Sequence, residues 1–527
     1  MTDVLVVGAG PTGLTLACLL RRQGVAVRVV DRLAEPAKLA KATIIWSRSL
    51  EILDELGIAG MAVDAGIALE HGRFLDGTKE LASTRTDCVP GTRWQPLILP
   101  QEQLERLLRE RLATLGVEVE WGAQVTTLEA DGDGVGVGVT LLHADGRVEC
   151  DRAGYIVGCD GLRSVVRSSA GIGWREHAPY DEVFQLGDVE AETSLDPNTV
   201  HFLLGRRGIS VAIPMPGGLL RVVGYTDGVT PEGNPDRDAL QQLLDDVGHS
   251  GTTITRVRWS GTFQVVRRLA DTFRVGRVLL AGDAAHAHSP AGGQGLNTGI
   301  QDAYNLAWKL GLVVRGHVAD KLLDSYTSER RPVAARILKL TELQDRHVFG
   351  ARSPLARTMR NTALRVVERI GALERKVIPD LAQVTVSYPN SPLSISGGGR
   401  RSSYIPGSRV PKITFDAADG SGTITLRDPE PDGSIRLVAV AARGSETGLA
   451  EIEAFANEFP GALRLRQPAT PLPDGGRAGL LMAVRPDGHI AYRGPCAVTP
   501  AFRAWVHATV SPPARLGALH QSLPAHT

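Results

Sequence analysis

Several things that would announce another kind of protein are scarce in this chain. Its 527 residues include five cysteines (Cys18, Cys88, Cys150, Cys159 and Cys496), an odd number with no paired spacing. That argues against a disulfide framework and for a reducing compartment. Neither sign of charge prevails: 58 Lys and Arg face 58 Asp and Glu, for a formal net charge of zero. Without a global field to hold a polyanion, nucleic acid is not expected as a partner. No uninterrupted apolar run reaches the ~18 residues a membrane-spanning helix needs. Asp3 and a short apolar run lead straight into a glycine turn, with no secretory leader pattern. The expectation is a cytoplasmic globular protein with no membrane partner. His286 and His288 have no thiolate or carboxylate at ligand spacing, so no metal is expected. No Gly-x-Ser-x-Gly nucleophile elbow occurs.

What is present points to an α/β protein. Apolar residues make up 43% of the chain, and at ~100–200 residues per domain its length suits two to four domains. Residues 4–7 (Val-Leu-Val-Val) suit a buried parallel strand, 8–13 a glycine turn, 14–22 a helix stopped by Gly24, and 25–30 a second strand ending at Asp31. Residues 48–57 and 101–115 carry helical apolar stripes, and 117–160 alternate as strands and hairpins. From 174 to 274, short β-prone segments broken by Gly and Pro predict an inserted antiparallel sheet. The parallel-strand style returns at 278–283, followed by a helix over 299–314 and further helices to about 384. After a Ser-, Gly- and Pro-rich linker, strand-like runs at 435–442 and 480–493 flank a helix-like stretch near 451–458.

Three separated segments carry the chemistry. The first is Gly8-Ala9-Gly10-Pro11-Thr12-Gly13 between strand and helix, followed by Asp31 and Arg32. This is the dinucleotide fingerprint: Gly8 permits the turn, Gly10 admits the pyrophosphate, Gly13 allows helix and strand to pack, and Asp31 accepts a ribose hydroxyl. The helix N-terminus offers free N–H groups to phosphate. The fingerprint alone does not choose FAD over NAD. The second segment runs Val157-Gly158-Cys159-Asp160-Gly161-Leu162-Arg163-Ser164, an apolar strand delivering an Asp-Gly turn. The third is Gly282-Asp283-Ala284-Ala285-His286, then Pro290-Ala291-Gly292-Gly293-Gln294-Gly295-Leu296-Asn297 and a helix. Its glycines let backbone N–H groups approach a ligand.

In these three motifs the chain resembles the FAD-dependent aromatic hydroxylases related to para-hydroxybenzoate hydroxylase and phenol hydroxylase, closest to the branch acting on polyketide aromatics and rifamycin-like compounds. The resemblance covers roughly residues 1–345, and 400–527 look like the thioredoxin-like third domain of the larger members. It implies an FAD-binding, Rossmann-like domain of the glutathione-reductase type in two parts (1–173 and 275–395), an inserted antiparallel β-sheet substrate domain (174–274) and a thioredoxin-like C-terminal domain (396–527). Arg48 and Gln101 would contact the flavin nucleotide and Val125 its adenosine end. Asp160 and Arg163 would serve FAD and reduced-nicotinamide handling, Asp283 the ribityl-pyrophosphate stretch, and Pro290, Gly293, Gly295, Leu296 and Asn297 the isoalloxazine ring. Asp31 stands where many relatives carry Glu, and either acid suits a ribose.

The implied activity is a monooxygenase. NAD(P)H reduces FAD, O₂ forms a flavin hydroperoxide, and its distal oxygen passes to an electron-rich aromatic ring, with water excluded meanwhile. No catalytic base is assigned; Tyr225, His201 and Arg221 are the roof-strand candidates, and Trp46 and Trp94 candidate cavity walls. A flavin-dependent halogenase is disfavoured, since Trp94-Gln95-Pro96-Leu97 does not match that class's Trp-x-Trp-x-Ile-Pro signature. Baeyer–Villiger or ring-opening oxygenation on the same scaffold stays open, as does homodimer formation. A catalytically silent FAD-bound interaction protein is disfavoured by the intact flavin-loop residues. With Cys496 as its sole cysteine, the C-terminal domain is expected to be redox-inert, and its removal to affect solubility or oligomeric state more than flavin chemistry.

Overall fold

A computed structural model describes residues 2–37, 43–87, 89, 91–130, 136–176, 183–226, 233–289, 291–351, 353–398, 404–420, 422–440, 446–469, 472 and 479–510. The chain divides into two compact units. The first comprises residues 1–21, 26–304 and 330–386, the second 22–25, 305–329 and 387–527.

The first unit is built on the opening βαβ element. Strand Thr2–Val7 is followed by helix Pro11–Arg22 and strand Val27–Asp31, which pairs parallel to the first. Pro11 occupies the first helical turn, where its missing N–H costs no hydrogen bond. Val148–Gly158 lies parallel on the other side of Thr2–Val7, and Val278–Leu280 parallel beyond it. Val119–Trp121 extends the opposite edge parallel to Val27–Asp31. The residues of Thr2–Val7 from Val4 onward and the whole of Val278–Leu280 are buried, as expected of parallel strands covered on both faces. Three strands distant in sequence thus end side by side at Val7, Gly158 and Leu280.

A second, seven-stranded sheet runs in the order Thr252–Gln264, Val183–Thr193, Leu219–Thr226, Gly208–Met215, Thr199–Leu204, His71–Asp76, Lys79–Arg85. It is wider than the 174–274 segment, because the hairpin His71–Arg85 adds two strands, with His71–Asp76 parallel to Thr199–Leu204. That pairing joins segments more than a hundred residues apart, and no local pattern in 71–85 identifies its partner. The sheet's faces differ. Leu203, Leu220 and Val222 pack under helix Arg237–Asp246. Alternate residues Val200, Ile213 and Met215, with Phe202 and Val211, pack with Ile44, Ile67 and Ile98.

The second unit holds a five-stranded sheet in the order Ile395–Ser396, Ile490–Pro495, Leu480–Val484, Ile435–Val440, Leu463–Arg466. Ile435–Val440 is parallel to Leu463–Arg466 and antiparallel to Leu480–Val484. Helices Glu446–Asn457 and Pro500–Val510 supply Ile452, Phe455, Phe502 and Trp505 to one core, together with Trp308, Leu312 and Leu322.

A buried ionic cluster binds this unit. Glu329 accepts from Arg485 Nη1 and Nη2 at 2.6 and 2.8 Å and from Lys309 Nζ at 2.7 Å. Asp487 takes the other edge of Arg485, and Asn305 and Trp308 donate to Asp487 Oδ2. Lys309 and Glu329 are 0% exposed and Arg485 1%. Burial raises the Glu329 pKa, but Arg485 and Lys309 outweigh it and bring it down to about 2; burial lowers Lys309 to about 8 against the pull of Glu329. Glu329 and Lys309 precede the linker, so residues beyond 395 complete a charge balance set by residues before it.

Arg485→Met should therefore destabilise the protein by about 3–5 kcal/mol, the cost of leaving a buried charge without its partner. Urea denaturation is the measurement. Ending the chain near residue 395 should give an insoluble product rather than an intact flavin domain. Glu329 is depressed from an ordinary 4.5 to about 2, so its stabilisation is complete above pH 4.5 and is lost as pH falls toward 2. Glu329→Gln should flatten that acid limb of the stability profile.

Candidate functional site

Where the strands Thr2–Val7, Val27–Asp31 and Val148–Gly158 end, a cleft of about 230 Å³ opens, lined by Gly8, Gly10, Asp31, Arg32, Val125, Asp160 and Arg163 among others. The three glycines of the first segment do different work. Gly8 has φ +105°, and a β-carbon there would stand 2.4 Å from the Cys159 carbonyl oxygen. One on Gly13 would stand 2.0 Å from the Gly8 oxygen, whereas one on Gly10 meets nothing within 4 Å and projects into open space. Asp31 braces the loop: its carboxylate accepts from the Ala9 N–H at 2.8 Å and the Leu33 N–H at 2.9 Å.

Asp160 caps the short helix Val165–Ser169 by accepting from Val165 N–H (2.7 Å) and Val166 N–H (3.2 Å) through Oδ2. Its Oδ1 is buried and has no hydrogen-bond partner in the described protein. Burial raises the Asp160 pKa, against the hydrogen bonds from Ser164 and the two backbone amides. An unpartnered acceptor in the wall of a cleft with an open glycine and a helix N-terminus fits a dinucleotide bearing hydroxyls and phosphates. The residues present suit FAD.

The third segment meets the first at Thr12. β-Carbons on Gly282 (φ +61°) and Gly299 would lie 2.7 and 2.2 Å from Thr12 Oγ1. Gly282 N–H donates to Asp302 Oδ2 at 3.2 Å, and Asp302 is held by Arg330 Nε at 2.7 Å and His286 Nε2 at 2.6 Å. Burial raises the Asp302 pKa, but Arg330 and His286 outweigh it and keep it below the ordinary carboxyl value. Asp283 is exposed at this turn.

Asn297, 0% exposed, has its side chain fully engaged. Its amide donates to Ile44 O and Gly293 O, and its carbonyl accepts from Trp46 N–H at 2.8 Å. Trp46 Nε1 donates to Gly292 O at 2.9 Å. Asn297 and Trp46 thus act on this loop by shaping its backbone. Gly295 and Leu296 are half-buried in the first turn of helix Gln294–Val314, and a β-carbon on Gly293 would meet Ile44 at 3.2 Å. Pro290 lies outside the described residues.

Other residues expected near the cofactor or substrate have the following protein partners. Arg48 is buried, paired with Glu51 at 2.9 Å and lying 5.1 Å from the ring centre of Tyr304. Gln101 donates to Glu105 at 2.9 Å, and Glu105, its pKa raised by burial, feels the charge of Asp31. Of the roof candidates, His201 alternates with Phe202 and so lies on the helix-covered side, neutral, with burial pushing its pKa to about 4. Arg221 and Tyr225 share the opposite side. Arg221 pairs with Asp188 at 2.6 and 2.8 Å and reaches Thr43 at 3.4 Å; Tyr225 packs edge-on against Phe184. Trp94 is half-buried with Arg93 stacked on it. Sequence reasoning missed Cys159, Ala123 and Gln124 in the cleft wall and the Asp302–Arg330 clamp. The helical position of Asp302, just after the glycine loop, was the available signal.

The glycine geometry separates binding from folding. Gly10→Ala should leave the melting temperature of the flavin-free protein unchanged but weaken FAD binding about tenfold or more, the effect of one badly placed methyl. Gly13→Ala should destabilise the fold itself by about 1–3 kcal/mol or more. Thermal melts and FAD titrations of the two variants check this; FAD binding by Gly10→Ala as tight as the parent's would remove the pyrophosphate from this cleft.

A family profile described as an FAD binding domain matches residues 1–341. The chain is 34% identical over 517 residues to 6-methylpretetramide 4-monooxygenase of Streptomyces rimosus, covering 93% of this chain and 90% of that protein. It is 37% identical over 397 residues to rifampicin monooxygenase of Streptomyces venezuelae, covering 74% and 80%. Among solved structures, an anhydrotetracycline hydroxylase from Streptomyces rimosus superposes with a TM-score of 0.77 at 30% identity, covering 97% of this chain and 99% of that one. The chain belongs to the family of the FAD binding domain and is an FAD-dependent aromatic monooxygenase.

Proposed function

We propose that this monooxygenase hydroxylates an electron-rich ring of a polycyclic, polyketide-type aromatic, with NAD(P)H as reductant and O₂ as oxidant. The observation that carries this reading is the apolar face of the seven-stranded sheet. Phe74 and Phe202 stack there at 4.7 Å, Phe184 and Phe263 at 5.4 Å, and Val211 and Val223 lie with them, partly buried. Phe202, Val211 and Ile44 pack against one buried apolar cluster, and Ile44 lies beside Gly293 and holds Asn297 through its carbonyl. A broad aromatic wall therefore adjoins the loop that the family resemblance assigns to the isoalloxazine ring. Flat, apolar, multi-ring molecules suit such a wall, and relatives by sequence carry the names 6-methylpretetramide 4-monooxygenase, rifampicin monooxygenase and anhydrotetracycline monooxygenase.

Bound FAD supplies the electron transfer and oxygen activation. In this reading Gly8, Gly10, Pro11, Thr12, Gly13, Asp31, Arg32, Val125 and Asp160 hold its nucleotide part, with Arg48, Gln101 and Asp283 nearby. Residues 292–296 line the ring, with Asn297 shaping their backbone. The apolar face keeps water from the reacting centre. Arg221 and Tyr225 are the polar candidates for donating a hydrogen bond to a phenolate oxygen. The domain limits we favour remain 1–173 and 275–395 for FAD and 174–274 for substrate, joined by the hairpin 71–85. The 396–527 region is thioredoxin-like, a reading supported by its strand order (463–466, 435–440, 480–484, 490–495), parallel then antiparallel, with helices after the first and last strands in sequence.

The test is a panel of polycyclic phenols, anhydrotetracycline and rifampicin among them, scored for stimulated NAD(P)H oxidation and for a product one oxygen heavier with its rings intact. FAD-replete protein that answers to no aromatic compound would end the proposal, and a ring-expanded product would move it to Baeyer–Villiger chemistry. Phe202→Ala should raise KM for the substrate about tenfold, the worth of one lost apolar contact, without changing FAD affinity.

A further inference from the structure

One non-glycine residue among those described has a positive φ: Gln383, at +55°. It follows the short helix Ile378–Leu381, where the Gln383 N–H donates to Asp380 O at 3.1 Å and the Val384 N–H to Pro379 O at 3.2 Å. That pair of bonds is a Schellman helix end, and its left-handed position is normally filled by glycine or asparagine because a side chain there is strained. A glutamine kept in such a conformation while 2% exposed directs attention to its side chain.

The side chain is saturated. Its amide donates to Gln294 Oε1 and to Thr298 Oγ1 (3.0 Å), and its carbonyl accepts from Gln301 Nε2. All three partners lie on helix Gln294–Val314, whose first turn opens the flavin loop. With its carbonyl engaged by Gln383, Gln294 turns its own NH₂ group to Gly292 O (3.2 Å) and Leu381 O (2.9 Å). Gly292 and Gly293 are consecutive left-handed residues, at φ +73° and +64°. This loop conformation is stabilised from one side by Trp46 Nε1 on the same Gly292 carbonyl and from the other by Gln294.

We propose that Gln383 is a positioning residue for the flavin. By orienting the Gln294 amide it fixes the backbone of residues 292–294 in the shape that receives the isoalloxazine ring. It touches neither the ring nor the substrate, and the inference is independent of which aromatic is oxidised.

Gln383→Gly removes the buried side chain with its amide while placing in the left-handed position the residue that suits it best. The flavin-free variant should still fold, its melting temperature set by the relieved backbone against the lost side-chain hydrogen bonds. Its FAD dissociation constant should rise about tenfold, in keeping with the loss of two or three buried hydrogen bonds. The visible absorption and circular dichroism of the bound flavin should shift, and more hydrogen peroxide should be released per NAD(P)H consumed. Gln383→Asn, which keeps an amide on a residue that tolerates the left-handed region, should recover part of each effect. Unchanged FAD affinity and flavin spectra in Gln383→Gly would overturn the proposal, as would a lower melting temperature with those two readouts intact. If Gln383→Gly does not fold, Gln383→Asn decides: parental affinity and spectra would sink the assignment, and an intermediate shift in both would support it.

Discussion

The first unit rests on the approach of backbones to distances that leave no room for a β-carbon. Gly13 faces the Gly8 carbonyl, Gly8 faces that of Cys159, and Gly282 and Gly299 close on the Thr12 hydroxyl. These contacts draw together segments separated by about 150 and about 120 residues along the chain. They leave a helix N-terminus, the strand-end residue Asp31 and Asp160, with its buried unpartnered oxygen, at the wall of one cleft. The constraint is steric and admits little compromise, since a methyl group at Gly13 has nowhere to go. Gly10, a few residues away, is under no such pressure from the protein, since a β-carbon there would meet nothing within 4 Å.

Buried carboxylates supply the second constraint. Asp302 fastens the Gly282 turn to a helix through a backbone N–H, and Arg330 and His286 hold its carboxylate. Glu329 plays the corresponding part in the second unit, with Arg485 and Lys309. Such groups contribute little net stability compared with apolar packing of equal volume, but they are costly to break singly and tolerate one arrangement of partners. They therefore select a geometry. The Gln294–Gln383–Gln301 amides do the same with neutral groups, around a loop whose left-handed glycines would otherwise have many conformations available.

Above that loop, the seven-stranded sheet divides its labour by alternation. One face packs on helix Arg237–Asp246, and the other presents aromatic and aliphatic side chains toward Ile44. Alternation also sorts the polar candidates, because His201 falls on the helix-covered face and Arg221 and Tyr225 on the other. A sequence read strand by strand could name all three but could not say which face each would take.

The sequence by itself determined what is encoded locally: the βαβ opening, the glycine turn between its first strand and helix, Asp31 at the end of its second strand, and helices at 47–55 and 101–114. Periodicity, turn chemistry and a phosphate-binding glycine pattern act over a few residues, so they can be read without knowing the rest of the chain. Only the tertiary structure decided that the hairpin 71–85 joins a sheet whose other strands begin at residue 183, and that Asn297 faces backbone. It also decided that Arg48 turns to Glu51 and Tyr304, and that a strained glutamine at 383 supports a loop at 292. These depend on contacts between residues far apart in the chain, where a polar side chain's role is set by whichever partner lies within hydrogen-bond reach, and no local pattern encodes that partner.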